Sequence, residues 1–127
     1  MKNEFRKQER IVSQKLMDHL FSGKESHSLT AFPLRAVYMK QDIPHGDVPV
    51  QILVSVPKRH LKHAVDRNRV KRQVREAYRL RKGHLWQSIP DSQSLAIAFI
   101  WQTDKCLPSA EVDSRMRSLL ERINRKL

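Results

Sequence analysis

The chain has 127 residues, 39% of them hydrophobic, which is enough for one compact core and predicts a single domain over 1–127. No apolar run reaches the ~18 residues of a membrane span, and the basic start Met1-Lys2-Asn3-Glu4-Phe5-Arg6 leads into no uninterrupted apolar stretch, so no secretory signal is expected. Cys106, the one cysteine, has no internal disulfide partner, and a reducing cytoplasm is the expected setting.

In chain order, the first predicted element is a short helix over 13–21. Ser13 is its N-cap, Leu16, Met17, Leu20 and Phe21 are its apolar face, and Gly23 is its stop. Residues 29–40 predict a strand whose early Pro33 suits an edge or a strand entrance. Residues 41–47 predict a loop, on their proline, glycine and aspartates. A second strand follows over 48–56, with Ile52, Val54 and Val56 alternating on one face before Pro57 ends it.

Residues 58–65 read as an extended or looped connection. The strongest central helix runs from Asp66 to about Lys82, with Val70, Val74, Ala77 and Tyr78 as a narrow buried stripe and Gly83 as its end. Leu85-Trp86 and Ile89-Pro90 then belong to a linker. The continuous run from Leu95 to Trp101 predicts a strand buried on both faces. A last helix starts near Ser109 and runs almost to Leu127, with Val112, Met116, Leu119, Leu120, Ile123 and Leu127 as its core stripe. Helix, strands, basic helix, strand, helix make an α+β sandwich.

The charge is concentrated. Lysine and arginine number 25 against 13 acids, a net charge of +12. Eleven basic residues lie between Lys58 and Lys82 against Asp66 and Glu76 alone, so this window carries +9 of the total. A small domain with that self-repulsion is suited to a polyanionic partner. On the central helix Arg72, Arg75, Arg79 and Lys82 fall at i, i+3, i+7 and i+10, an outward ridge flanked by Arg67, Arg69 and Lys71. Guanidinium forks bind phosphate bidentately, and helical N-terminal amides add anion affinity. The competing reading is a merely solvated face, but such faces mix signs. Charge alone leaves RNA and DNA both open.

Asn68, between two arginines, either caps the helix or meets a sugar hydroxyl or base edge. Glu76, with Arg72 at i−4 and Arg79 at i+3, holds arginines in position. The histidines His19, His27, His45, His60, His63 and His84 show no metal-ligand spacing. His60 and His63, near the basic helix, are expected to add polar contacts to RNA. There is no glycine-rich phosphate loop and no carboxylate cluster suited to a two-metal nuclease, and Glu111 and Asp113 suit a helix start.

The run Val65-Asp66-Arg67-Asn68-Arg69-Val70-Lys71-Arg72-Gln73-Val74-Arg75-Glu76-Ala77-Tyr78-Arg79 closely resembles the signature of the bacterial ribonuclease P protein family. Val54-Ser55-Val56-Pro57-Lys58-Arg59 and Ala64 resemble the segment before that signature. Phe5, Lys7, Arg10 and Ile11, then Leu20-Phe21 and Gly23, resemble the family's amino-terminal region.

The resemblance implies a ribosomal-protein-like α+β sandwich with a left-handed βαβ crossover, where general rules favour the right-handed form. It implies an RNA-binding helix through Arg67, Asn68, Arg69, Lys71, Arg72, Arg75 and Arg79. It also implies a cleft between the sheet and the first helix that holds the 5′ leader of precursor tRNA, with Phe21, Met17, Arg35, Lys58 and Arg59 there. For Phe21 ordinary core packing is an equal alternative. Met17 and Arg35 stand where relatives often carry aromatics; an apolar surface and a cation still hold a strand.

The implied partners are the catalytic RNA subunit and precursor tRNA, with no membrane and no required protein partner. No catalytic residue is expected in the chain and no cofactor on the protein alone, magnesium entering the holoenzyme through the RNA. A ribosomal or RNA-chaperone protein of similar fold would explain the charge without the full signature. A major-groove DNA reader would need a dimer or a helix-turn-helix, and neither pattern is evident.

Overall fold

The computed structural model describes residues 7–44 and 46–127; Met1 to Arg6, including Phe5, and His45 lie outside the described residues. After a short 3₁₀ turn at Lys7–Glu9 come α1 (Gln14–Phe21), β1 (His27–Ala31), β2 (Leu34–Gln41), β3 (Val50–Ser55), α2 (Ala64–Gln87), β4 (Ser94–Trp101) and α3 (Ser109–Lys126). The four strands form one sheet in the order β1-β2-β4-β3. β2 is antiparallel to both neighbours, and β3 and β4 are parallel. Adjacent parallel strands need a long crossover, and α2 supplies it. The expected α+β sandwich is the fold observed.

One sheet face presents Leu34, Ala36, Tyr38, Val50, Ile52, Val54, Leu95, Ile97, Phe99 and Trp101. The stripes of α2 (Val70, Val74, Ala77, Tyr78, Leu85) and α3 (Val112, Met116, Leu119, Leu120, Ile123) cover it. The other face offers Val37, Met39, Ala96 and Ala98 to Leu20 of α1 and to Ile11. β4 contributes buried residues to both layers, which is why its sequence does not alternate. The cap and stop of α1 are those expected: the Leu16 amide donates to Ser13 Oγ at 3.2 Å, and Gly23 takes φ +78°, a backbone shape that suits glycine.

The structure corrects several expected boundaries. Residues 29–40 are a hairpin, not one strand: β1 and β2 reverse at Phe32-Pro33, joined by a cis peptide bond, with Ala31 paired to Leu34. Proline has no amide hydrogen for a ladder, so the run breaks there. The 48–56 strand is shorter, Val50–Ser55, and residues 56–63 form no strand. The basic helix is longer at both ends. Gly83 lies inside it without a left-handed φ, and Leu85-Trp86 are helical rather than linker. Leu85 is buried and extends the Val70–Val74–Tyr78 stripe, while Trp86 Nε1 donates to Tyr78 OH at 2.9 Å. Burying a leucine is worth about 2 kcal/mol, more than the ~1 kcal/mol a glycine costs in a helix.

The segment before α1 lies along β3. Ile11 N donates to Ile52 O at 2.9 Å, Arg10 bridges Ile52 in parallel, and Gln51 Nε2 donates to Gln8 O at 3.1 Å. Glu9, fully buried, accepts from Lys82 Nζ at 2.7 Å, and that ammonium also sits 4.5 Å from the centre of the Trp86 ring. Lys82 therefore does not belong to the outward ridge assigned to it; it points into the protein and fastens the amino-terminal strap to α2. At the opposite edge Arg122 donates to Thr30 O and Arg115 to Phe32 O, both at 2.9 Å, covering outer carbonyls of the hairpin.

Removing one partner of a buried ion pair strands the other charge. Lys82→Ala is expected to lower unfolding free energy by ~3–5 kcal/mol, whereas Glu9→Leu with Lys82→Met recovers most of that loss. Urea denaturation of the two variants checks this.

Candidate nucleic-acid interface

Because α2 buries one stripe, its remaining faces are free to carry charge. Arg69 and Arg72 are exposed, and Arg67, Lys71, Arg75 and Arg79 are half-buried along their stems. Asn68, Arg72, Arg75, Glu76 and Arg79 line one shallow groove on the helix. Asn68 cannot be the cap, because the helix begins at Ala64 with His63 in the N-cap position; Asn68 stands exposed in the second turn. The capping alternative is thereby removed, and the amide is presented outward among arginines.

Glu76 takes Arg79 and not Arg72: Arg79 Nε donates to Oε2 at 3.1 Å, with a second bond from the same guanidinium to Oε1. These bonds hold the Glu76 carboxyl below its ordinary range and raise Arg79. Arg79 is thus held in place, as expected of a positioning carboxylate, while Arg72 keeps its freedom.

Not every cation of the basic window faces out. Arg81 forms a two-bond fork with Asp113 of α3, Nε to Oδ1 at 2.7 Å, and this pairing lowers the aspartate's pKa. It joins α2 to α3. Arg67 donates through one nitrogen to Leu61 O at 3.0 Å and Lys62 O at 2.7 Å, so it ties down the loop that enters its own helix. His60 Nδ1 lies 2.9 Å from Asp104 Oδ1, bridging the turn after β3 to the loop after β4. His63 is exposed at the head of α2. Tyr78, which receives the Trp86 bond, is pushed well above the usual phenol range, chiefly by burial, so it stays protonated.

The second expected site lies across the sheet. Met17 and Leu16 are half-buried against Val37, Met39, Ala96 and Ala98, with Leu53 and Ile100 at the margin. Arg35 shares that sheet face by register, opposite Ile100, and its Nε donates to Ser28 Oγ at 2.8 Å. Ile100 in turn pairs with Ser55 at the end of β3, and Lys58 and Arg59 are exposed in the turn just beyond. Arg35, Lys58 and Arg59 thus gather at one end of the sheet. Phe21 ends α1 with 48% of its surface exposed, so it is not simply core.

The residues missed in the sequence are Glu9 and Trp86. Val70, Val74, Tyr78 and Lys82 recur every four residues, and that spacing was the available sign that Lys82 turns inward. Among the described residues no three His, Cys, Asp or Glu side chains converge as a metal site, and no helix is long and apolar enough to cross a membrane.

A sandwich whose crossover helix turns a row of guanidinium groups outward is a small protein for docking on a polyanion. The sequence model of the Ribonuclease P family matches residues 5–124. The ribonuclease P protein component of Porphyromonas gingivalis is 37% identical over 118 residues, covering 92% of this chain and 84% of that protein. That of Chlorobium phaeobacteroides is 40% identical over 87 residues, covering 66% and 58%.

Among solved structures, the RNase P protein of Thermotoga maritima superposes with a TM-score of 0.68 at 22% identity, over 90% of this chain and 96% of that one. A Staphylococcus aureus RNase P protein mutant, described as defective in mRNA degradation, gives 0.69 at 18% identity over 92% and 89%. The chain belongs to the ribonuclease P protein family. It is accordingly a subunit of the tRNA-processing ribonuclease P holoenzyme, partnered with its RNA.

The two arginines flanking Asn68 are expected to separate in their effect on stability. Arg67→Ala loses charge-assisted bonds to two carbonyls and should cost about 1–2 kcal/mol in urea unfolding. Arg69→Ala, at an exposed site, should stay within about 0.5 kcal/mol of the unsubstituted protein.

Proposed function

We propose that the chain binds the catalytic RNA of ribonuclease P through α2 and holds the 5′ leader of precursor tRNA against α1 and the open end of the sheet. In this reading it promotes removal of that leader to give the mature tRNA 5′ end. The observation that carries it is the outward row on α2: Arg69 and Arg72 exposed, Lys71 and Arg75 beside them, and Asn68 among them. Arg67 acts both on its own loop and toward RNA, and Arg79, steered by Glu76, extends the row. If about four phosphates are neutralised, a fourfold rise in salt weakens binding on the order of a hundredfold.

The chemistry belongs to the RNA. Magnesium ions held by that RNA supply the hydrolytic step, and the protein reduces repulsion between two polyanions and fixes phosphates near the metals. Leader binding rests on Phe21, half exposed at the end of α1, with Met17 as an apolar neighbour. Arg35, Lys58 and Arg59 serve as cations for the leader phosphates. No protein partner is needed for this, and the cytoplasm, where tRNA precursors are made, is the place for it.

Adding the protein to its catalytic RNA is expected to restore precursor cleavage at magnesium concentrations where the RNA alone is nearly inactive. Absence of stimulation in that reconstitution rejects the reading. Phe21→Ala is expected to weaken binding of precursor tRNA by roughly five- to a hundredfold, the range for a lost base stack, with mature tRNA little changed. Equal losses for both substrates would remove Phe21 from the leader site.

A further inference from the structure

The turn between β3 and α2 is held more firmly than a chain connection requires. The Pro57 carbonyl accepts from the His60 amide at 3.1 Å and the Leu61 amide at 3.2 Å, leaving Lys58 and Arg59 exposed at the tip. Val56 and Leu61, on either side of this turn, are buried in the core. From Leu61 onward, three successive carbonyls are taken by one residue. Arg67 Nη1 donates to Leu61 O and Lys62 O, and the Arg67 amide donates to His63 O at 3.1 Å. On the opposite side His60 Nδ1 meets Asp104 Oδ1, in the loop after β4.

The bond to Lys62 O is exposed, and water would satisfy that carbonyl as well as a side chain does. Closing the connection therefore does not call for a guanidinium there. What Arg67 adds is a fixed geometry between the turn and its own helix. A loose turn must be ordered at every binding event, and that ordering subtracts from affinity. The turn carries two adjacent cations, Lys58 and Arg59, just past Ser55, on the row of register that runs through Ile100 to Arg35.

We propose that Arg67 is a positioning residue for the leader of precursor tRNA. By bonding the carbonyls of Leu61, Lys62 and His63 it fixes the 57–63 turn to α2, so that Lys58 and Arg59 meet leader phosphates at a set distance from the RNA-bound helix. The proposal rests on the reading of Lys58 and Arg59 as leader cations. It gives Arg67 a task that Arg69, exposed two residues later, does not share.

The test uses the full chain, saturating its ribonuclease P RNA, and reads the ratio of precursor to mature tRNA affinity. A general loss of folded or assembled protein affects both substrates alike and leaves that ratio unmoved. Lys58→Gln with Arg59→Gln is expected to lower the ratio about tenfold and the salt slope of precursor binding by about two. Arg67→Gln, too short to span both carbonyls, should lower the ratio about three- to fivefold, the effect of losing preorganisation. Arg67→Lys keeps a long donor and should recover most of it. In the Lys58→Gln, Arg59→Gln background, Arg67→Gln should change the ratio no further, because it acts through those two side chains.

A ratio that falls for the Lys58, Arg59 variant and stays level for Arg67→Gln overturns the positioning role while the leader reading stands. Losses that multiply in the combined variant overturn it as well, since Arg67 would then touch the substrate itself. If Lys58→Gln with Arg59→Gln leaves the ratio unchanged, these cations leave the leader site and the role of Arg67 falls with them.

Discussion

Strand β4 is apolar on both faces, and each face must be covered before the chain can be stable. Ala96 and Ala98 are small enough to let α1 and Ile11 approach closely on one side. Leu95, Ile97, Phe99 and Trp101 fill the space under α2 and α3 on the other. Because β4 lies parallel to β3, the chain between them must cross the sheet, and that crossing is α2. Packed on one side of the sheet and flanked by α3, this crossover helix buries the face toward the strands and keeps its far side in water. The layering that satisfies β4 therefore also leaves Arg69 and Arg72 of α2 looking outward, while Lys82 and Arg81 are drawn to Glu9 and Asp113.

The cost of gathering so much positive charge is limited by how the few acids are placed. Glu9, Glu76, Asp104 and Asp113 each meet a basic partner, and the partners differ in purpose. Glu9 and Asp113 join α2 to the strap and to α3. Asp104 ties two loops together, and Glu76 steadies Arg79 on the surface. Among the cations of the described residues only Lys82 is buried; Arg81 is shared with α3. The exposed remainder is left with repulsion of the kind that a polyanionic partner would relieve.

Much of the architecture was legible in the sequence. The α1 cap and stop, the doubly buried β4 and the α3 stripe follow from local periodicity and turn chemistry, and the structure has all of them. The Arg67–Arg79 segment also disclosed its family, because the signature is long and contiguous. Where reading by segment failed, a distant partner made the difference. Gly83 reads as a stop until Leu85 is seen to reach the core. Residues 29–40 read as one strand until Arg35 is seen to return opposite Thr30.

What the sequence alone determined is the amount, the sign and the helical phase of the charge, since these depend only on residue type and a fixed turn per residue. What tertiary structure decided is which cations remain available. Lys82 is spent on Glu9, Arg81 on Asp113 and part of Arg67 on its own loop. Ion pairs depend on distance through space, and residues as far apart as Glu9 and Lys82 carry no local pattern that announces their contact.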